Sequence, residues 1–127
     1  MRVKTIAFDL DNTLCSSIRV KHPEDILRVK PRQKWLLIIR ELKNRGHKIV
    51  IFTSRDSCGK DARKLTKLWL DEHNIPYDSL ITNKPHYDIF IGDRLFSSHR
   101  DWCTVRFIEL WIRYIRSSIN STKYRSR

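Results

Sequence analysis

Residues 46–55 read GHKIVIFTSR. After Lys48 the apolar residues Ile49, Val50, Ile51 and Phe52, the first three β-branched, are consecutive rather than alternating. A strand of that kind is buried on both faces, the setting of a parallel sheet covered by helices. Parallel neighbours cannot be joined by a tight turn; they need crossovers of about a dozen residues or more. This one segment therefore requires helical connections around it.

The flanking sequence supplies them. RQKWLLIIRELKNR sets Trp35, Leu36, Ile38, Ile39 and Leu42 on one broad apolar face, with Pro31 at a tolerated first-turn position and Gly46 as the stop. A second helix is expected at about 59–73, carrying Leu65, Leu68, Trp69 and Leu70, and a last one at about 102–117, carrying Val105, Phe107, Ile108, Trp111, Ile112 and Ile115. Strands are expected at Val3–Asp9, within NIPYDSLIT and at YDIFIG, with a small hairpin between residues 14 and 29. The order strand, helix, strand, helix, strand, strand, helix predicts an α/β fold: a three-layer, Rossmann-like parallel sheet with helices on both faces.

Polar residues gather where these strands end. Asp9 and Asp11 follow the first, Thr53 and Ser54 the second, Asp93 the fourth, and Lys84 lies between the third and fourth. In an open α/β sheet the carboxyl ends share one edge, where ligands bind. Taken singly, each has an ordinary explanation: a capping turn for Asp9 and Asp11, a strand end for Thr53, a solvated side chain for Lys84. Together, in order, they form a constellation. Arg55 is left between two readings, a phosphate contact or a pair with Asp56 at a helix start. His86 reads as a loop residue, Asp88 as a cap or pair near the fourth strand, and Asp101 as too far past Asp93 to be a ligand.

The motifs DLDNT, IVIFTSR, NKPHYD and IFIGD resemble, in order and setting, the four motifs of the haloacid dehalogenase-like (HAD-like) hydrolases. The match runs from about Val3 to Asp93. The frame GHKIVIFTSR, HNIPYD and KPHYDIFI, with a Cys after the first motif, is similar to the small capless members around capsule and lipopolysaccharide biosynthesis, the BcbF-like phosphatases. Many of these have an acid where this chain has Gly92, and a Gly where it has Asn12.

That resemblance implies a Mg²⁺-dependent phosphatase acting on a phosphomonoester through an aspartyl-phosphate. Asp9 is then the nucleophile and Asp11 the acid and base. Thr53, Ser54 and Lys84 hold the phosphoryl group, and Asp9, Asp11 and Asp93 hold the metal. The chemistry suits the residues: a carboxylate attacking a phosphate dianion needs compensating positive charge, and an all-oxygen ligand set suits Mg²⁺. The intervals 14–29 and 55–77 leave no room for a cap domain, so an open site accepting bulky substrates is expected.

The charge widens the choice of substrate. Lys and Arg number 26 against 14 Asp and Glu, a formal net charge of +12. Such a surface attracts polyanions. The domain is expected over residues 1–118, with 119–127 a basic, unstructured tail carrying Lys123, Arg125 and Arg127. Two alternatives follow: a polynucleotide 3′-phosphatase, with which GDR and its following Trp-containing helix share a likeness to phage polynucleotide kinases, and a catalytically weak nucleic-acid-binding protein. Three cysteines without CxxC spacing point to a reducing compartment. With no apolar run near ~20 residues and no signal-peptide pattern, the expected location is the cytoplasm, a host's if the source is viral.

Overall fold

The computed structural model describes residues 3–16, 21–89, 91–92 and the helix 105–122, the side chains of 111 and 115–122 excepted. The chain divides after His86 into two units.

The first unit contains β1 (Thr5–Asp9), α1 (Gln33–Asn44), β2 (Lys48–Phe52), α2 (Ala62–Glu72) and β3 (Ser79–Ile81). The strands form an open, parallel sheet in the order β1-β2-β3. The central strand is β2, as its sequence demanded, but its burial alternates: Ile49 and Ile51 are fully buried, whereas Val50 and Phe52 on the other face are half-buried rather than covered. The register sets Asp9 opposite Phe52 and Phe52 opposite Ile81, so all three carboxyl ends finish level.

Helix α1 buries the five residues its periodicity selects, Trp35, Leu36, Ile38, Ile39 and Leu42, and turns Leu37 outward. Gly46 ends it with φ 90, a left-handed conformation that costs glycine nothing. Pro31 does not open the helix: it pairs with Cys15 in an isolated bridge, and Arg32 is the N-cap. Helix α2 begins at Ala62 rather than 59, because Arg55–Cys58 form a separate 3-10 segment ended by Gly59 at φ 119. Leu68, expected on its apolar face, is 48% exposed, and Thr66 is buried instead. Trp69 is fully buried, and its Nε1–H donates to the carbonyl of Val29 at 2.8 Å. That bond satisfies the indole and ties α2 to the segment before α1. Pro23–Arg28, expected within a hairpin, form a 3-10 segment that buries Ile26; residues 17–20 lie outside the described residues.

In the second unit α3 spans Val105–Thr122, past the expected end at Ser117, while the expected start at 102 lies outside the described residues. The expected fourth strand is not formed in the described part of YDIFIG. Tyr87, Asp88, Ile89, Ile91 and Gly92 belong to no strand, and Ile89 and Ile91 are 79% and 91% exposed. The apolar run was a local signal, but a strand exists only through its ladder with a partner, which local sequence does not supply. No helix among the described residues is long and apolar enough to cross a membrane.

Candidate active site

The turn after β1 is wound around one carbonyl. The N–H groups of Thr13, Leu14 and Cys15 all donate to Leu10 O, at 2.9–3.3 Å. Asn12 adopts φ 64, a left-handed conformation that Asn tolerates better than most residues. Arg32 donates from Nη1 to Asn12 O at 2.9 Å, and its own N–H donates to Leu14 O at 2.8 Å, so the turn is clamped to the approach to α1. Asp9 and Asp11 are thereby held on a short, rigid stretch. Asp9 accepts a hydrogen bond from the N–H of Leu10 through Oδ1, at 3.0 Å.

The ends of β2 and β3 meet this turn. The N–H of Thr53 donates to Ile81 O at 2.9 Å, and the N–H of Lys84 donates to Thr53 O at 3.0 Å. This ladder carries Lys84 back over the sheet end. Its Nζ lies 3.3 Å from Asp9 Oδ1, an ion pair in which the Asp9 side chain is 47% exposed. The ammonium also stands 5.4 Å from the centre of the Phe52 ring, a cation–π contact that helps hold it in place.

Asp11 is engaged on both oxygens. Thr53 Oγ1 donates to Oδ2 at 3.3 Å; Arg55 donates from Nη2 to Oδ1 at 2.8 Å and from Nε to Oδ2 at 3.2 Å. Arg55 is buried, donates from Nη1 to Thr66 Oγ1 at 3.3 Å and lies 3.5 Å from Cys15 Sγ. Burial pushes the Cys15 thiol up to about 12, with the charge of Asp11 acting in the same direction, so it stays a neutral packing group. Of the two readings left open for Arg55, the pair with Asp56 is not the one formed: its carboxylate partner is Asp11, 44 residues back in sequence.

Four sequence-expected site residues thus converge on the sheet end: Asp9, Asp11, Thr53 and Lys84. Ser54 is partly buried beside Thr53 as the N-cap of the 3-10 segment. Asp93 and Asp101 lie outside the described residues. Arg55 and Thr66 are the members that sequence reasoning did not assign; the one sequence signal for Arg55 was its place two residues past Thr53, at the end of a buried strand.

The charges of the described cluster balance, two carboxylates against Lys84 and Arg55. An arriving anion therefore meets an exposed carboxylate whose charge is already offset. Among the described residues no group of three His, Cys, Asp or Glu side chains is placed to hold a metal. The carboxylates of Asp9 and Asp11 offer oxygen donors only, the set that suits a hard cation.

No family model matches the chain, and no curated protein matches it. Among solved structures, the chain is similar to the crystal structure of an MCSG target from Vibrio cholerae, with 26% identity and a TM-score of 0.66 over 88% of this chain and 98% of that one. It is also similar to the structure of a Pnkp1/Rnl/Hen1 complex, with 22% identity and a TM-score of 0.56 over 68% of this chain and 30% of that one, a likeness of fold. Both likenesses are compatible with a HAD-like fold.

Proposed function

We propose that this protein is a Mg²⁺-dependent phosphomonoester phosphatase that works through an aspartyl-phosphate on Asp9. The observation that carries the reading is the half-exposed Asp9 carboxylate, 3.3 Å from Lys84, with Asp11 held two residues away by Arg55 and Thr53. On this reading the sheet is the centre of a three-layer, capless HAD-like domain of the cytoplasm. Mg²⁺ would be held by Asp9, Asp11 and Asp93, and its chemistry is to neutralise phosphoryl oxygens.

The steps follow from the residues. An Asp9 oxygen attacks phosphorus, the bond to the ester oxygen breaks, and the leaving oxygen takes a proton from Asp11, which must enter this step in its acid form and leaves it as the carboxylate that Arg55 and Thr53 hold. Water then attacks the aspartyl-phosphate, Asp11 accepts its proton, and phosphate departs with Asp9 regenerated. Both oxygens of Asp11 accept hydrogen bonds from Arg55 and Thr53, an alignment suited to the second, proton-accepting step. Lys84 offsets charge that grows on the phosphoryl oxygens.

The test is hydrolysis of p-nitrophenyl phosphate with and without Mg²⁺. Activity is expected to need the metal and to be lost in Asp9→Asn, whose amide has the same shape but is a poor nucleophile. Wild-type turnover by Asp9→Asn, or full activity after chelation, would exclude the mechanism. The net charge of +12 favours a second reading, a polynucleotide 3′-phosphatase. A 3′-phosphorylated oligonucleotide turned over far faster than small esters supports it; binding of that oligonucleotide without turnover would point to a catalytically weak binding protein.

A further inference from the structure

A cavity of about 540 Å³ opens between the start of α2 and the end of β3, within the ~300–1,000 Å³ usual for small-molecule sites. Its walls continue directly from the candidate active site. Asp56 follows Arg55, Asn83 precedes Lys84, and the N–H of Asp56 donates to Thr82 O at 3.0 Å, stitching the two walls together. None of Asp9, Asp11, Thr53 and Lys84 lines it. It is therefore an open groove distinct from the reacting groups and joined to them through the chain at Arg55–Asp56 and Asn83–Lys84.

Its lining is mixed in a specific way. Lys60 and Arg63 bring two positive charges against the single carboxylate of Asp56. Arg63 donates from Nη1 to Leu80 O at 2.8 Å, which fixes its guanidinium against the wall with further donors to offer. Asn83 adds an amide and Ile81, 39% exposed, an apolar surface. Gly59 lines it too, exposed, with φ 119 and nothing within 4 Å of where a side chain would begin. Cations for an anion, polar groups for hydroxyls and an apolar wall for a ring face describe the remainder of a phosphorylated ring compound that carries a second anionic group.

We propose that this cavity is a subsite for a second phosphate, held by Lys60 and Arg63 while the first is cleaved at Asp9, and that the substrate is a bisphosphorylated sugar or nucleoside. The proposal rests on the phosphatase reading for its chemistry but not for its binding. A second phosphate bound there anchors the ring and presents the first phosphate to Asp9, so it raises kcat/KM rather than competing for the reacting groups.

The test compares kcat/KM for thymidine 3′,5′-bisphosphate against thymidine 3′-phosphate, and for fructose 1,6-bisphosphate against fructose 6-phosphate. Wild type, Lys60→Glu and Arg63→Gln are measured, the last keeping a donor for Leu80 O. One bisphosphate is expected to exceed its monophosphate by about tenfold or more, and each variant to cut that ratio by about tenfold, the worth of one charge-assisted hydrogen bond. The pair that shows the preference identifies the ring as sugar or nucleoside. Ratios near one in wild type, or unchanged in both variants, would overturn the subsite. Equilibrium binding of the same four compounds to Asp9→Asn, with and without Lys60→Glu, supplies the second arm. If wild type hydrolyses nothing, the phosphatase reading fails, and binding alone decides the subsite: a bisphosphate bound about tenfold more weakly in the double variant supports it, and equal binding refutes it.

Discussion

The guanidinium of Arg55, 3% exposed, grips both carboxylate oxygens of Asp11, whose side chain is 35% exposed. A buried cation has been matched to a carboxylate at the mouth of the site. The pair fixes Asp11 in orientation, and it makes Asp11 a structural residue as well as a candidate acid and base.

Removing Asp11 should therefore cost more stability than removing Asp9. Asp11→Ala strands a buried guanidinium, and breaking a buried pair from one side costs ~3–5 kcal/mol. Because water reaches Asp11, about 3 kcal/mol is expected. Asp9→Ala removes a half-exposed partner of Lys84 and should cost about 1 kcal/mol. Urea denaturation of the two variants measures the difference; equal midpoints would mean that Arg55 finds another partner.

Lys84→Met should separate chemistry from folding. Its flexible, apolar side chain can keep contact with Phe52 but cannot offset phosphoryl charge. A fall in kcat of about 10²–10³, the usual loss for one preorganised donor, is expected. The circular dichroism melt should move little. Undiminished kcat would remove Lys84 from the site.

Cys15 should be chemically silent. With its thiol pushed up to about 12 by burial and by Asp11, almost no thiolate exists near pH 8, and thiolate is the reactive form. Iodoacetamide should modify the partly buried Cys58 in the folded protein and reach Cys15 only in urea, as read by peptide mass spectrometry. Rapid native labelling of Cys15 would show that the turn after β1 opens.

Acid should weaken the join between β2 and the turn before β3. Asp78 accepts hydrogen bonds from Lys43 Nζ at 2.6 Å and from the N–H of Ile49 at 2.7 Å, and these hold its carboxyl below the usual aspartate value, the Lys43 bond first. A group lowered in the folded state stabilises above its unfolded value, about 3.9, and that contribution is lost as pH falls from there through the lower folded value. The melting temperature of wild type should exceed that of Asp78→Asn at pH 6, and the gap should narrow as pH falls below about 4. A gap independent of pH would assign the effect to packing.

Much of the fold was legible because it rests on short-range patterns. The uninterrupted KIVIF run specified a central parallel strand, though only Ile49 and Ile51 are fully buried while Val50 and Phe52 on the other face are half-buried, and five apolar residues at helical spacing specified the inward face of α1. Gly46, expected as the stop of α1, takes the positive φ that such a stop uses. Where the patterns were weaker they misplaced boundaries. Pro31 looked like a helix start but is taken by a bridge to Cys15, and Leu68 looked buried but faces outward. YDIFIG had strand composition, yet its described residues form no strand, since composition does not provide a neighbouring edge.

By itself the sequence determined that polar residues end the strands, and hence that Asp9, Asp11, Thr53 and Lys84 would be candidates for a single site. Parallel strands bring their carboxyl ends to one side regardless of what lies between. Only the tertiary structure decided how they pair: Lys84 on Asp9, and Arg55 with Thr53 on Asp11. Those contacts join residues 42 to 75 positions apart, and they depend on strand register and on which side chains lose their water. A carboxylate at a sheet end takes whichever cation the folded chain carries to it, and the burial of Arg55 leaves that cation no better partner than Asp11.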